Sequence, residues 1–163
     1  MARITLMGAG SAIFSRQLMI DILLTPGLDG GSFALVDIDP VRLEIAHQLA
    51  ERAIELTGKS WTVEASTERR QVMGDSDYVI NFIEVNGLKT VQFDHEIPMK
   101  YGIKQCIGDT IGPGGIFKAL RTGPDWLDIL YDAEELCPEA LFLNYTNPMA
   151  IVTGGLLKGA GIR

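Results

Sequence analysis

Glycine residues that could hold a phosphate group follow the first apolar run of the chain. The run Ile4–Met7 is followed directly by Gly8, Gly10 and Ser11. In a strand–glycine–helix turn, one glycine permits the tight bend and another lets the backbone approach a pyrophosphate, which the N-terminus of the next helix attracts. Ile13 replaces the third glycine of the G-x-G-x-x-G pattern. The prediction of a nucleotide site therefore depends on the elements around the turn.

A carboxylate follows the second apolar run. Asp37 comes directly after Phe33–Val36, at the tip of a predicted strand. A carboxylate in this place is suited to accept hydrogen bonds from both hydroxyls of an adenosine ribose. A 2′-phosphate would lie against the same negative charge. The sequence therefore predicts a dinucleotide site that binds NAD in preference to NADP.

A second glycine-rich segment lies further along the chain. The residues from Gly108 to Gly115 carry Asp109 and Thr110 as their only polar side chains. This composition predicts a loop shaped by its backbone, whose N–H groups could bind an anion or a sugar hydroxyl. The alternative is that Asp109 only caps the helix that follows the loop.

Two asparagines, Asn144 and Asn147, follow the fifth predicted strand. Ligands of open α/β sheets bind at the carboxyl ends of the strands. An asparagine amide can donate and accept at once, as a nicotinamide amide or a sugar diol requires. The alternative is ordinary turn chemistry, because Asn-Pro marks many loops.

Apolar runs that fit strands alternate with segments that fit helices along the whole chain. This rhythm predicts an α/β fold with a doubly wound, mostly parallel sheet of the Rossmann type. Such sheets usually have about six strands, so with five predicted we expect the chain to stop before the last strand or strands. The predicted strands are Ile4–Met7, Phe33–Val36, Trp61–Ala65, Tyr78–Ile83 and Ala140–Asn144, and the predicted helices are Ser15–Leu24, Pro40 to Gly58, Val91–Lys100, Pro124–Leu136 and Pro148–Lys158.

The composition is that of one globular domain with an acidic balance. The chain has 163 residues, of which 47% are hydrophobic, and a formal net charge of −7. This charge, without a basic stripe, argues against a nucleic-acid partner. No apolar run approaches the roughly 20 residues that span a bilayer, so we expect no membrane contact. The two cysteines form no disulfide framework, which favours a cytoplasmic protein.

Four of these motifs resemble, in order and over essentially the whole chain, those of glycoside hydrolase family 4. They are Gly-Ala-Gly-Ser at 8–11, Asp-Ile-Asp-Pro at 37–40, Asp-Thr-Ile-Gly-Pro-Gly-Gly at 109–115 and Asn-Tyr-Thr-Asn-Pro-Met at 144–149. These glycosidases depend on NAD and a divalent metal, usually manganese, and the Asp-Thr pair is similar to the α-galactosidase and α-glucosidase branch. The resemblance implies removal of hydride from C3 of the sugar, elimination across C1 and C2, addition of water and return of the hydride.

The resemblance also implies roles for particular residues. Asp109 would protonate the leaving oxygen as the catalytic acid, and Asn147 would bind the sugar. The cofactor would contact Gly8, Gly10, Ser11, Asp37, Asn81 and Glu84.

The family's metal ligands and catalytic base are expected beyond residue 163. No metal site is therefore expected in this chain, and Cys106, Cys137, His47 and His95 are not taken as substitutes. Residues 1–163 would form a Rossmann-like NAD-binding domain, without the C-terminal domain that holds the metal and the substrate.

The implied substrate is an unphosphorylated α-hexoside, with an α-galactoside preferred and an α-glucoside or α-galacturonide as alternatives. Phosphate-specific members of the family place an arginine in the helix before Ile97. Residues 91–96 contain no arginine but two carboxylates, Asp94 and Glu96, which would repel a phosphate dianion. The full-length enzyme is expected to be a homo-oligomer.

Two other classes of protein stay open. A lactate- or malate-type NAD dehydrogenase would share the glycine turn, Asp37 and the Asn-Pro segment, but residues 86–115 carry no arginine for recognition of a 2-oxoacid. A non-catalytic NAD-binding module would need only the nucleotide site.

Overall fold

A five-stranded parallel sheet forms the centre of the molecule, in the strand order β3-β2-β1-β4-β5. The computed structural model describes residues 1–105 and 111–156. Along the chain the elements are β1 (Ala2–Met7), α1 (Phe14–Leu24), β2 (Gly30–Val36), α2 (Pro40–Thr57), β3 (Ser60–Ser66), α3 (Arg69–Val72), β4 (Tyr78–Asn81), α4 (Leu88–Met99), α5 (Pro113–Leu136), β5 (Leu141–Asn144) and α6 (Met149–Leu156).

Helices cover both faces of this sheet, because successive strand residues point to opposite sides. In β2, Phe33 and Leu35 belong to one buried cluster, whereas Ala34 and Val36 belong to the other. The first cluster is completed by α1 and α2, and the second by α3, α5 and α6. The prediction of a doubly wound α/β sheet of the Rossmann type is confirmed.

The strand register aligns the carboxyl ends of four strands in one row. Met7 of β1 lies opposite both Val36 of β2 and Asn81 of β4, and Asn81 lies opposite Asn144 of β5. The chain reverses its direction of winding between β1 and β4, which is where ligands bind in open parallel sheets. The segments after these four residues therefore define the candidate site.

Helix α5 begins earlier than predicted. It starts at Pro113, so the last part of the predicted glycine loop is helical, and the prediction of a helix that starts at Pro124 is wrong. Proline at the first position of a helix is compatible with helical geometry. The helix continues through Pro124, because burial of its inner face outweighs the roughly 3 kcal/mol that an internal proline costs. That face consists of Ala119, Thr122, Trp126, Ile129, Leu130 and Ala133.

The remaining differences concern the ends of elements and one short helix. The four-residue helix α3 was missed, because it is too short to show a periodic pattern. Predicted β4 extends two residues past its observed end at Asn81. Cys137 is buried in the second cluster, and burial raises the pKa of its thiol. No helix in the described part of the chain is long and apolar enough to cross a membrane.

Candidate functional site

Gly8 makes the turn that ends β1. Its φ of +90° lies in the region that side chains disfavour. A Cβ at this position would also lie 3.1 Å from the carbonyl oxygen of Phe82 and 3.2 Å from Cα of Ile83. Gly8 therefore lets the turn lie directly against the chain that leaves β4.

Gly10 lies in contact with Asp37. Its backbone amide donates a 2.8 Å hydrogen bond to Oδ2 of Asp37. A Cβ on Gly10 would lie 2.8 Å from that same oxygen and 2.8 Å from Cβ of Arg42. The position has no room for a side chain, so the second glycine of the turn is required by packing.

The backbone amides of the turn show where an anion could bind. The amides of Gly8 and Ala9 both donate to the carbonyl of Val36 at 2.9 Å, and that of Ser11 donates to Gly8 at 3.0 Å. Among the described residues, the amides of Ala12 and Ile13 donate to nothing. These two amides stand at the start of α1, where Ile13 makes no side-chain cap.

Gly8, Gly10 and Ser11 therefore shape the turn, and the amides of Ala12 and Ile13 are open to an anion. No sequence motif singled out the amides of these two residues. Their backbone role leaves no signal in residue type. That the turn holds a pyrophosphate stays a prediction.

Ile13 stands where the third glycine of the fingerprint would be. That glycine normally allows the helix to pack closely on the strand. Here Ile13 is 74% exposed, so it does not fill the contact between helix and strand. Close packing comes instead from buried Ala9 and Ser15, whose Oγ donates to the carbonyl of Ala9 at 2.6 Å.

Asp37 is half-buried and accepts hydrogen bonds with both of its oxygens. Oδ2 accepts from Gly10, and Oδ1 accepts from the backbone amide of Asp39 at 2.9 Å. Each carboxylate oxygen has a second lone pair, so Asp37 retains capacity for the hydroxyls of a ribose. Asp39 in turn caps α2, since its Oδ1 accepts from the amides of Val41 and Arg42.

Asn81 joins the ends of β4 and β5. Its Nδ2 donates to Oδ1 of Asn144 at 3.1 Å and to Oγ1 of Thr146 at 2.9 Å. Asn144 continues the network to Oγ1 of Thr153 at 3.1 Å. Asn81 is fully buried, and its Oδ1 accepts no hydrogen bond from the described residues. In this geometry Asn81 supports the site, and its contact with a cofactor stays a prediction.

Glu84 forms an ion pair with Lys118 of α5. The lysine side chain is largely buried and the glutamate is more exposed. A cation thus stands beside the carboxyl end of β4, and no sequence motif indicated it there. The pair brings α5 to the edge of the proposed nucleotide site.

The structure describes one of the two residues proposed for the sugar. Asn147 is exposed just before α6, and its Oδ1 accepts from the backbone amide of Met149 at 3.2 Å. Asp109 lies outside the described residues, as does Cys106. No three His, Cys, Asp or Glu residues within 1–105 and 111–156 lie together in a way that could hold a metal ion.

A buried ion pair links α4 to α5. Asp94 of α4 is 2% exposed and accepts from Nη2 of Arg121 at 2.6 Å and from Nη1 at 3.2 Å. The carbonyl of Asp94 also accepts from Nε2 of Gln105 at 2.9 Å. The expectation that Asp94 would repel a phosphate is wrong, because the carboxylate is buried and neutralised by Arg121.

The strand order, the glycine turn at the switch point and the carboxylate after β2 together define a nucleotide-binding domain of the Rossmann type. Within that class, the comparison with family models is specific. Residues 3–163 match the model described as family 4 glycosyl hydrolase, and the chain belongs to this family. This membership also rules out the lactate- or malate-type dehydrogenase as the class of the protein.

Individual relatives agree with this assignment. The chain is 46% identical over all of its length to an alpha-galactosidase of Bacillus subtilis strain 168, of which it spans 38%. It is 40% identical over 96% of its length to an alpha-galactosidase of Rhizobium meliloti strain 1021, of which it spans 32%. The chain thus spans about a third of the curated relatives it matches.

A solved structure of a relative has the same fold. The 6-phospho-beta-glucosidase of Thermotoga maritima, determined with manganese, NAD⁺ and glucose-6-phosphate, superposes with a TM-score of 0.72 at 28% identity. The comparison covers 91% of this chain and 34% of that protein.

Proposed function

We propose that residues 1–163 form the NAD-binding domain of a longer α-glycosidase, most closely an α-galactosidase. The observation that carries this proposal is the contact between the Gly10 amide and Asp37, which places a carboxylate directly beside the glycine turn. Membership of family 4 and the NAD⁺ bound to the Thermotoga maritima relative support the same proposal.

The residues of the turn fit a dinucleotide. Its glycines let the turn lie directly against the chain that leaves β4 and against Asp37, and the amides of Ala12 and Ile13 are open to a pyrophosphate. Asp37 would hold the adenosine ribose by its remaining lone pairs, while Glu84, held by Lys118, would lie near the nicotinamide ribose. Bound NAD supplies reversible removal of hydride from the sugar.

The sugar chemistry is proposed for the residues that follow the sheet and for a second domain. Asp109 would protonate the leaving oxygen, and Asn147, just before α6, would bind a sugar hydroxyl. The ligands of the manganese ion would lie beyond residue 163, in a C-terminal domain of the longer protein. The complete protein would act as a homo-oligomer.

The substrate that we propose is an unphosphorylated α-hexoside. Recognition of a 6-phosphate favours an arginine with its fork free to bind two oxygens. Helix α4 supplies no arginine, and Arg121, which α5 brings against α4, already donates both terminal nitrogens to Asp94. An α-galactoside is preferred because the two alpha-galactosidases are similar to this chain over nearly all of its length, with α-glucosides and α-galacturonides as alternatives.

Calorimetric titration with NAD⁺ and NADP⁺ tests the cofactor. The protein is expected to bind NAD⁺ more tightly, and Asp37→Ala is expected to weaken NAD⁺ binding by roughly 1–3 kcal/mol, because a charged hydrogen-bond acceptor is lost. Asp29→Ala removes an exposed carboxylate from the loop before β2 and is the matched control. Equal or tighter binding of NADP⁺ by the wild-type protein would contradict the proposal.

A rate comparison on the full-length protein, with NAD⁺ and Mn²⁺ supplied, tests the substrate. The panel contains the nitrophenyl α-galactoside, α-glucoside and α-galacturonide and a 6-phospho-α-glucoside. We expect hydrolysis of the α-galactoside at the highest kcat/KM. A clear preference for the phosphorylated sugar would overturn the proposal, and binding of NAD⁺ without hydrolysis of any sugar would favour a non-catalytic NAD-binding module.

A further inference from the structure

An arginine stands immediately beside the proposed ribose site. Arg42 lies in the first turn of α2, and its Cβ is 2.8 Å from the place where a Cβ on Gly10 would be. Asp37 Oδ2 lies at the same distance from that place. Arg42 and the ribose-binding carboxylate therefore border the same small region.

The guanidinium of Arg42 is largely uncommitted. Its side chain is 71% exposed, and its ion pair is a 3.4 Å contact from Nε to Oδ2 of Asp39. In the described part of the chain, neither terminal nitrogen of Arg42 donates a hydrogen bond. An exposed i, i+3 pair of this kind contributes little to stability, so it does not explain the placement of Arg42.

The surrounding charges decide which ligand could use this arginine. A phosphate on the 2′-hydroxyl of a ribose held by Asp37 would lie within reach of Arg42, but also against the carboxylate of Asp37. The N-terminus of α2 cannot supply the donors instead, because Asp39 already accepts from the amides of Val41 and Arg42. Arg42 is thus the cationic donor that the first turn of α2 offers to a 2′-phosphate.

We propose that Arg42 is a second determinant of cofactor choice. It is able to bind the 2′-phosphate of NADP, but the negative charge of Asp37 prevents this binding. The proposal rests on the proposed function, because it presupposes that the ribose lies at Asp37. It means that discrimination against NADP depends on one carboxylate, since the residue needed to accept the extra phosphate is already in place. A planar guanidinium suits this task because it can donate two hydrogen bonds to one phosphate.

Calorimetric titration of the full-length protein with NAD⁺ and NADP⁺ tests the proposal by comparing an Asp37 variant with a variant changed at both Asp37 and Arg42. Asp37→Asn removes the charge and keeps one acceptor oxygen for the turn. We expect it to raise the NADP⁺-to-NAD⁺ affinity ratio by at least about tenfold, because the like-charge repulsion is gone. Adding Arg42→Gln to the Asp37→Asn variant is expected to lower the NADP⁺-to-NAD⁺ affinity ratio again by at least about tenfold, because the phosphate loses its cationic donor.

Arg52→Gln in the Asp37→Asn background is the matched control. It removes the same charge from the same helix ten residues further on, about 15 Å along the axis, and is expected to leave the gained NADP⁺ affinity unchanged. Circular dichroism and thermal unfolding of each variant confirm that the fold is retained.

The outcomes separate the two proposals. If the wild-type protein binds neither cofactor, the proposed function fails. If it binds NAD⁺, and the NADP⁺ affinity gained by Asp37→Asn is the same with and without Arg42→Gln, the role of Arg42 is wrong. The role is also wrong if Arg52→Gln removes as much of that gain as Arg42→Gln does. If a folded Asp37→Asn variant gains no NADP⁺ affinity at all, the role of Arg42 is likewise wrong, although NAD⁺ binding stands.

Discussion

The backbone amide of Gly10 lies 2.8 Å from Oδ2 of Asp37, so the turn after β1 and the carboxylate after β2 are joined by a hydrogen bond. These residues are 27 positions apart in the sequence. The bond fixes the direction of the carboxylate and closes the turn at the same time. A substitution at either residue is therefore expected to disturb both.

Replacement of Gly10 by alanine is expected to weaken NAD⁺ binding at least tenfold and to lower the free energy of unfolding by about 1–3 kcal/mol, because the new Cβ overpacks the contact with Asp37 and Arg42. Calorimetry and urea unfolding measure the two effects. Gly123→Ala in α5 is the control, since a Cβ there meets nothing within 4 Å, and it is expected to preserve NAD⁺ affinity. Unchanged NAD⁺ affinity in Gly10→Ala would contradict the packing argument.

Alanine substitution of Asn81 and of Asn144 is expected to have parallel effects on stability but different effects on NAD⁺ binding. Each residue belongs to the same network between β4 and β5, and each alanine variant is expected to lose about 1–3 kcal/mol of unfolding free energy, because buried partners remain unpaired. NAD⁺ affinity, measured by calorimetry, should fall further in Asn81→Ala than in Asn144→Ala, because a cofactor contact is proposed for Asn81 and not for Asn144. Equal losses of affinity, at equal stability, would show that Asn81 acts only through the network between the two strands.

The ion pair between Arg121 and Asp94 is expected to be essential for stability. Arg121→Met leaves a buried carboxylate without its cation and should lower the free energy of unfolding by about 3–5 kcal/mol. Arg52→Met removes an arginine from an exposed pair with Glu55 and should cost about 1 kcal/mol or less. Urea unfolding measures both, and equal losses in the two variants would refute the distinction.

Asp132 is expected to make stability depend on pH. Burial opposes its ionisation, but hydrogen bonds from Arg70 and Arg69 outweigh that effect and lower the pKa of the carboxyl. Because the folded-state pKa lies below the unfolded value of about 4, the carboxylate favours folding above that pH, and its contribution is lost as the pH falls through the folded pKa. Asp132→Asn should therefore have a lower Tm than wild type at pH 7.

The same comparison at acidic pH completes this test. The difference in Tm between Asp132→Asn and wild type should narrow as the pH falls below about 4. Asp29→Asn, at an exposed carboxylate, should show little difference at either pH. A difference that stays constant from neutral to acidic pH would contradict the role of the two arginines.

The sequence by itself determined the strands, the class of fold and the turn after β1. Strand runs such as Phe33–Val36 and the glycines of the turn carry local signals, because burial on both faces and tight bends restrict residue type directly. The same signals placed Asp37 at the strand tip. The family resemblance was likewise readable from short motifs, and the comparison with family models confirmed it.

Only the tertiary structure decided which distant residues meet. The row formed by Met7, Asn81 and Asn144 depends on strand register, and the pairing of Arg121 with Asp94 depends on how α5 packs on α4. The true start of α5 was hidden because local chemistry at Pro124 favours a break, while burial along the helix favours continuation. Hydrophobic pattern and turn chemistry act between neighbours in sequence, whereas these contacts arise from packing between elements, which the order of residues does not specify locally.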